Sequence, residues 1–195
     1  MKKILFEGTE LSGKSDLINE VALQLARRGC RVQVNAGQLN KQSSAVTRAL
    51  AYADRANSTH LREFGYTWAL LLDSFPENDN DFFIQERSFP SVIAFSQVFN
   101  PLGINRYFGR ILARQYPSFD YNFFVTASLE ARRHRLSNRP EATELDSMVL
   151  TRPDRIEALD RRIRRVLSRE PNYHEIDTTF RDISESAHKI VGIVL

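Results

Sequence analysis

Short apolar runs of strand length alternate along the chain with segments whose apolar residues recur every three or four positions. The runs are Lys3–Glu7, Cys30–Asn35, Phe82–Glu86, Tyr121–Ala127 and Tyr173–Asp177. They mostly lack polar alternation, which predicts strands covered on both faces, as in a parallel sheet. Between the first two, Leu17, Ile18, Val21, Ala22, Leu25 and Ala26 share one helical face, and Gly29 stands where a helix C-cap belongs. The same spacing predicts helices over Ser44–Ala56, Thr59–Ser74, Pro90–Phe99, Ile104–Gln115, Leu129–Ser137, Pro153–Ser168 and Ile183–Val194. Polar stretches at Pro76–Asp81 and Asn138–Asp146 read as loops. Strands alternating with helices predict a three-layer α/β fold.

Length and composition narrow this picture only slightly. A chain of 195 residues suits one domain with a buried core, and 42% hydrophobic with 26% charged residues is an ordinary globular balance. A net charge of +3 suits anionic ligands but is too small to imply nucleic acid, which is not expected as a partner. The lone Cys30 allows no disulfide within the chain and reads as a small buried apolar residue. No stretch approaches the roughly 20 apolar residues of a membrane span, and Glu7 interrupts the opening apolar run, so a cytoplasmic protein without a membrane partner is expected.

The chemistry is concentrated where the first strand hands over to the first helix. Gly8, Thr9, Glu10, Leu11, Ser12, Gly13, Lys14 and Ser15 fit the phosphate-binding pattern G-x-x-x-x-G-K-[ST], with a strand before and an amphipathic helix after. Glycines let the backbone wrap an anion, so that successive N–H groups and the helix N-terminus converge on phosphate. Lys14 supplies a mobile positive charge for the β and γ phosphates, and Ser15 a hydroxyl for Mg²⁺. ATP as phosphoryl donor and Mg²⁺ are the cofactors this motif implies. Asp16 is discordant, since its carboxylate favours the helix dipole but repels phosphate; it is expected to point away or to cap the helix.

FEGTELSGKSDL resembles the opening FEG-x-D/E-x-x-GKS of the thymidylate kinase and deoxynucleoside kinase group. AYADRANSTH, Ala51–His60, is similar to the thymidylate kinase helix with an Ala-Asp-Arg triplet whose arginine binds the acceptor nucleotide. QERSFPSVIAFSQ, Gln85–Gln97, resembles Asp-Arg-Tyr-x-x-Ser-x-x-Ala-Tyr-Gln, with Glu86, Arg87, Ser91, Ala94 and Phe95 in register, and its Glu86–Ser88 variant is closer to the deoxynucleoside kinases. ARRHRLSNRPE, Ala131–Glu141, looks like the lid of both families, with Arg135 and Arg139 at the arginines that close over the phosphates. The resemblance implies a P-loop fold of five parallel strands flanked by helices, the phosphate-loop strand central, and an Arg-rich lid at about 132–150 within one domain spanning 1–195. It further implies a nucleoside or nucleotide kinase acting on a small-molecule substrate, often as a homodimer.

On that basis Glu86 is a candidate for a water on Mg²⁺ or for taking the acceptor's proton, and Arg87 for bridging acceptor and transferred group. Arg55, Tyr52, Tyr66, Trp68, Arg87 and Ser91 are candidates for binding the acceptor, although helical spacing favours core packing for most of the aromatics. Lys14, Glu86, Arg87, Arg135 and Arg139 form the catalytic set, while Arg132 and Arg133 are expected to face solvent. The pattern also departs from the families. Asn35–Gln42 reads NAGQLNKQ where they carry a Glu-Pro pair, so no glutamate stands there as base, and Ala51 occupies the place of an expected aromatic. Another hydroxyl-bearing metabolite, such as an antibiotic or modified nucleoside, therefore remains open as acceptor, as does an ATP-binding module without turnover. A regulatory GTPase is disfavoured because no Asn-Lys-x-Asp segment is present.

Overall fold

The computed structural model describes residues 1–37, 43–73, 79–99, 118–180 and 182–195. Its elements run β1 (Lys2–Glu7), α1 (Lys14–Arg27), β2 (Val32–Asn35), α2 (Ser44–Arg55), α3 (Thr59–Leu72), β3 (Phe82–Glu86), α4 (Phe89–Phe99), β4 (Tyr121–Thr126), α5 (Leu129–Ser137), α6 (Glu144–Thr151), α7 (Pro153–Leu167), β5 (Tyr173–Asp177) and α8 (Ile183–Val194). The expected helix over Ile104–Gln115 falls outside the described residues, as does most of the loop after β2. The five strands form one parallel sheet in the order β2-β3-β1-β4-β5, with the phosphate-loop strand in the centre as the resemblance implied.

Successive side chains of a strand point to opposite faces, and β1 and β4 use both. Ile4, Phe6, Phe123 and Val125 enter one core with Leu17, Ile18, Val21 and Leu25 of α1 and Ala187, Ile190, Val191 and Val194 of α8. Leu5 and Phe124 enter the opposite core with Ala94 of α4 and Leu159, Ile163 and Leu167 of α7. This is why those strands read as unbroken apolar runs, each buried side chain contributing about 1.5–3 kcal/mol. A third cluster joins Val46 and Ala49 of α2, Ala69 and Leu70 of α3, and Phe89 and Ile93 of α4.

Two expectations change. Helix α6 occupies the end of the segment read as a loop to Asp146: Thr143 and Asp146 make a capping box in which each side chain bonds the other's backbone N–H. Cys30 precedes the shorter β2 strand and is partly buried against the core. No described helix is long and apolar enough to cross a membrane.

Candidate functional site

In a parallel sheet the carboxyl ends of the strands gather on one edge, where ligands bind in open α/β folds. Here β1 runs into the phosphate loop, β3 ends at Glu86 with Phe6 paired to it, and β5 runs into Thr178. The loop needs unusual backbone at three points: Gly8 at φ 155°, Leu11 at φ 60° and Gly13 at φ 79°. A Cβ on Gly8 would overlap the Val125 carbonyl oxygen of the neighbouring strand, so glycine is required there by space as well as by torsion. Gly13 is the N-cap of α1 and offers no side chain to the helix, leaving its first amides for another acceptor.

Three loop carbonyls are held from outside. Arg132 Nη1 donates to the Glu10 oxygen at 3.3 Å, Arg135 Nη1 to the Leu11 oxygen at 2.9 Å, and the Thr178 hydroxyl to the Ser12 oxygen at 2.7 Å. Arg135 also donates to the Thr178 carbonyl at 2.7 Å. The expected lid arginine thus braces the loop's outer side in this structure. Burial and the neighbouring Arg132 charge push its pKa down. Arg139 pairs instead with Asp146 at 3.0 Å. Asp16 is exposed and caps nothing, and its charge acts on Arg135.

Inside the loop, Lys14 Nζ lies 2.6 Å from Glu86 Oε1, and the Ser15 hydroxyl donates to the same oxygen at 2.8 Å. Burial raises the Glu86 pKa, but the Lys14 charge and the bonds from Lys14 and Ser15 outweigh it, and the net direction is downward. Burial and the nearby Arg87 charge push Lys14 down.

Arg87 sits in the left-handed region at φ 60°, unusual for a residue with a Cβ. Its N–H bonds the Phe6 oxygen at 2.8 Å, and its carbonyl accepts from the Gln85 amide at 2.9 Å. Its guanidinium pairs with Glu10 of the phosphate loop at 2.5 Å. Burial alone would lower its pKa, but Glu10 more than compensates and the net direction is up.

Sequence reasoning gave no site role to Glu7, Gln85, Arg132, Asp160 or Thr178. Glu7 is fully buried; its carboxylate accepts the Ser88 N–H at 2.8 Å, the Ser91 N–H at 3.3 Å and the Ser91 hydroxyl, and so caps α4 from below. Burial pushes its pKa up. Ser91 therefore spends its hydroxyl on Glu7. A glutamate closing an apolar strand was the available signal. Gln85 spans Asn35 and the Gly37 carbonyl, tying β2 to β3. Arg132, expected in solvent, is buried on Asp160, Thr9 and the Ala127 carbonyl, because α5 starts against the phosphate loop rather than away from it. Arg133 is exposed, as expected.

The acceptor candidates other than Arg87 and Ser91 are spread over α2 and α3. Tyr52, Arg55 and Trp68 are exposed; Trp68 stacks on Phe64 with centroids 6.2 Å apart, and Tyr66 bonds Asp54 at 3.3 Å. No group of three or more metal-ligating side chains occurs among the described residues.

No family model matches the chain, and no curated protein matches it in sequence. Solved structures match it in shape. Thymidylate kinase from Candida albicans superposes with TM-score 0.68 at 17% identity, over 99% of this chain and 90% of that one. Deoxyadenosine kinase from M. mycoides, solved with dCMP and dCDP, gives 0.67 at 16% identity over 98% of both chains. The same enzyme with bound dATP gives 0.66 at 14% identity. The five-stranded parallel sheet with its flanking helices is the fold of thymidylate and deoxynucleoside kinases.

Proposed function

We propose that the chain is an ATP-dependent phosphotransferase that moves the γ-phosphoryl group to a nucleoside or nucleoside monophosphate. The observation that carries this reading is the meeting of Lys14, Ser15 and Glu86 on one carboxylate oxygen at the mouth of a glycine-bounded loop. Phosphoryl transfer needs a cation, a metal-holding hydroxyl and a carboxylate together, and these three supply them. The fold neighbours support the substrate class.

The residues fit the groups the reaction requires. Ser12 Oγ is buried without a hydrogen-bond partner among the described residues, a polar atom available to an anion. When bound, ATP supplies the phosphoryl group and Mg²⁺ neutralises charge on it. Residues 8–15 would cradle the phosphates, to which Lys14 would bring its charge. Ser15 and Glu86 would hold the metal. Arg87, poised by Glu10, grips the acceptor side, and Arg139 closes over the phosphates once its pair with Asp146 opens.

A second reading, transfer to another hydroxyl-bearing metabolite, draws support from the Asn35–Gln85 amide pair at 2.8 Å. It stands just before the place where the resembling families carry a Glu-Pro pair. A coupled ADP-release screen against nucleosides, their monophosphates and small hydroxylated metabolites tests both readings. Release with a nucleoside or monophosphate supports the first, release only with another metabolite the second, and none with any acceptor removes both.

A further inference from the structure

We infer that Arg132 and Asp160 are a positioning pair that sets the phosphate loop for anion binding without touching the anion. The inference rests on the nucleotide-binding reading above. Arg132, Asp160 and the Thr9 hydroxyl close a triangle: Arg132 Nη2 donates to Asp160 Oδ2 at 2.7 Å, Arg132 Nη1 donates to Thr9 Oγ1, and Thr9 Oγ1 donates to Asp160 Oδ1 at 2.8 Å. Arg132 Nε binds the Ala127 carbonyl at 2.9 Å, and its Nη1 reaches on to the Glu10 carbonyl. One guanidinium thereby ties the end of β4, the first helical turn after it, α7 and the phosphate loop together.

The consequence follows from peptide planarity. A trans peptide sends the N–H of one residue opposite to the carbonyl of the residue before it. Carbonyls of Glu10, Leu11 and Ser12 drawn outward by Arg132, Arg135 and Thr178 therefore turn the amides of Leu11, Ser12 and Gly13 toward the loop's interior. Arg135 and Thr178 hold the second half of this arc. Arg132 holds the first, with Thr9 anchored beside it. A planar fork with five donors serves several acceptors at once; a lysine cannot.

A buried ion pair is weak evidence of stabilisation, since replacing both partners by apolar residues of similar size is often neutral. That separates a positioning role from a structural one. In Arg132→Met/Asp160→Leu the charges leave together. The double variant is expected to keep its melting temperature within a few degrees. The Kd for inorganic pyrophosphate and the Kd for Mg-ATP are both expected to rise about tenfold or more. Arg132→Lys should fall between. Unchanged affinity for both in a folded double variant would overturn the inference. If the double variant does not fold, Arg132→Lys, which keeps a charge beside Asp160 and loses the fork, makes the comparison, and wild-type affinity for both probes there overturns it equally. Pyrophosphate binding that weakens in the variants, with no Mg-ATP binding even in the wild type, removes the nucleotide reading and leaves the positioning role standing; a wild type that binds neither probe overturns it.

Discussion

Lys14 and Glu86 are 72 residues apart in sequence, and their charged groups meet at 2.6 Å because β1 and β3 are neighbours in register, Phe6 beside Glu86. The ammonium is nearly buried and the carboxylate little more exposed, so each depends on the other for compensation. Glu86→Gln removes the anion and leaves the Lys14 charge with a neutral partner. Turnover is expected to fall roughly 10²-fold or more. Stability is expected to fall by about 1–3 kcal/mol, read from denaturant midpoints.

The two site carboxylates should respond to pH with opposite sign. The folded pKa of Glu86 is lowered, so its contribution to stability is present above the ordinary glutamate range and is lost as pH falls through the folded value. That of Glu7 is raised by burial, so its contribution is present below that range and is lost as pH rises through the folded value. Denaturation of both Gln variants from acid to neutral pH checks this. The deficit of Glu86→Gln should grow with rising pH, while Glu7→Gln should gain on the wild type.

Glycine substitutions separate the loop from the scaffold. Gly8→Ala places its Cβ on the Val125 carbonyl, a backbone atom that cannot move aside, and is expected to abolish Mg-ATP binding. Gly65→Ala would put a Cβ 2.7 Å from that of Ala53, wedging α2 from α3. It should cost about 1–3 kcal/mol of stability and leave Mg-ATP affinity unchanged. Calorimetric titration with Mg-ATP alongside thermal melts tells these outcomes apart.

Arg87 is held by Glu10 through its side chain and by Phe6 and Gln85 through its backbone. Arg87→Lys keeps the charge but loses the fork. Turnover is expected to fall by about tenfold or more with little change in the affinity for ATP, and steady-state kinetics with the acceptor varied will show it.

Much of the frame was legible in the chain because parallel strands are covered on both sides and therefore read as apolar runs. Val32–Asn35 was placed less sharply, since all four residues of that edge strand are only half-buried. The phosphate loop was legible because only glycine serves where backbone must approach an anion or a neighbouring strand. Arg132 was misread because a run of arginines on α5 looks like a solvated face, and nothing local says which one turns inward. Its partner carried a signal: Asp160 lies four residues after Ile156 and three before Ile163, on the face of α7 whose other residues are buried and apolar. Helix α6 was masked by polar composition, although Thr143 and Asp146 stand at capping-box spacing. Gln85 could not have been found, because its role depends on how β2 and β3 pair.

Steady-state ADP release from Mg-ATP, with a panel of nucleosides and nucleoside monophosphates as acceptors and Lys14→Ala as the control, decides whether the chain is a kinase of this class. Acceptor-dependent release that Lys14→Ala abolishes while remaining folded is the expected result. ATP binding without release for any acceptor, or release that survives in Lys14→Ala, would show that it is not.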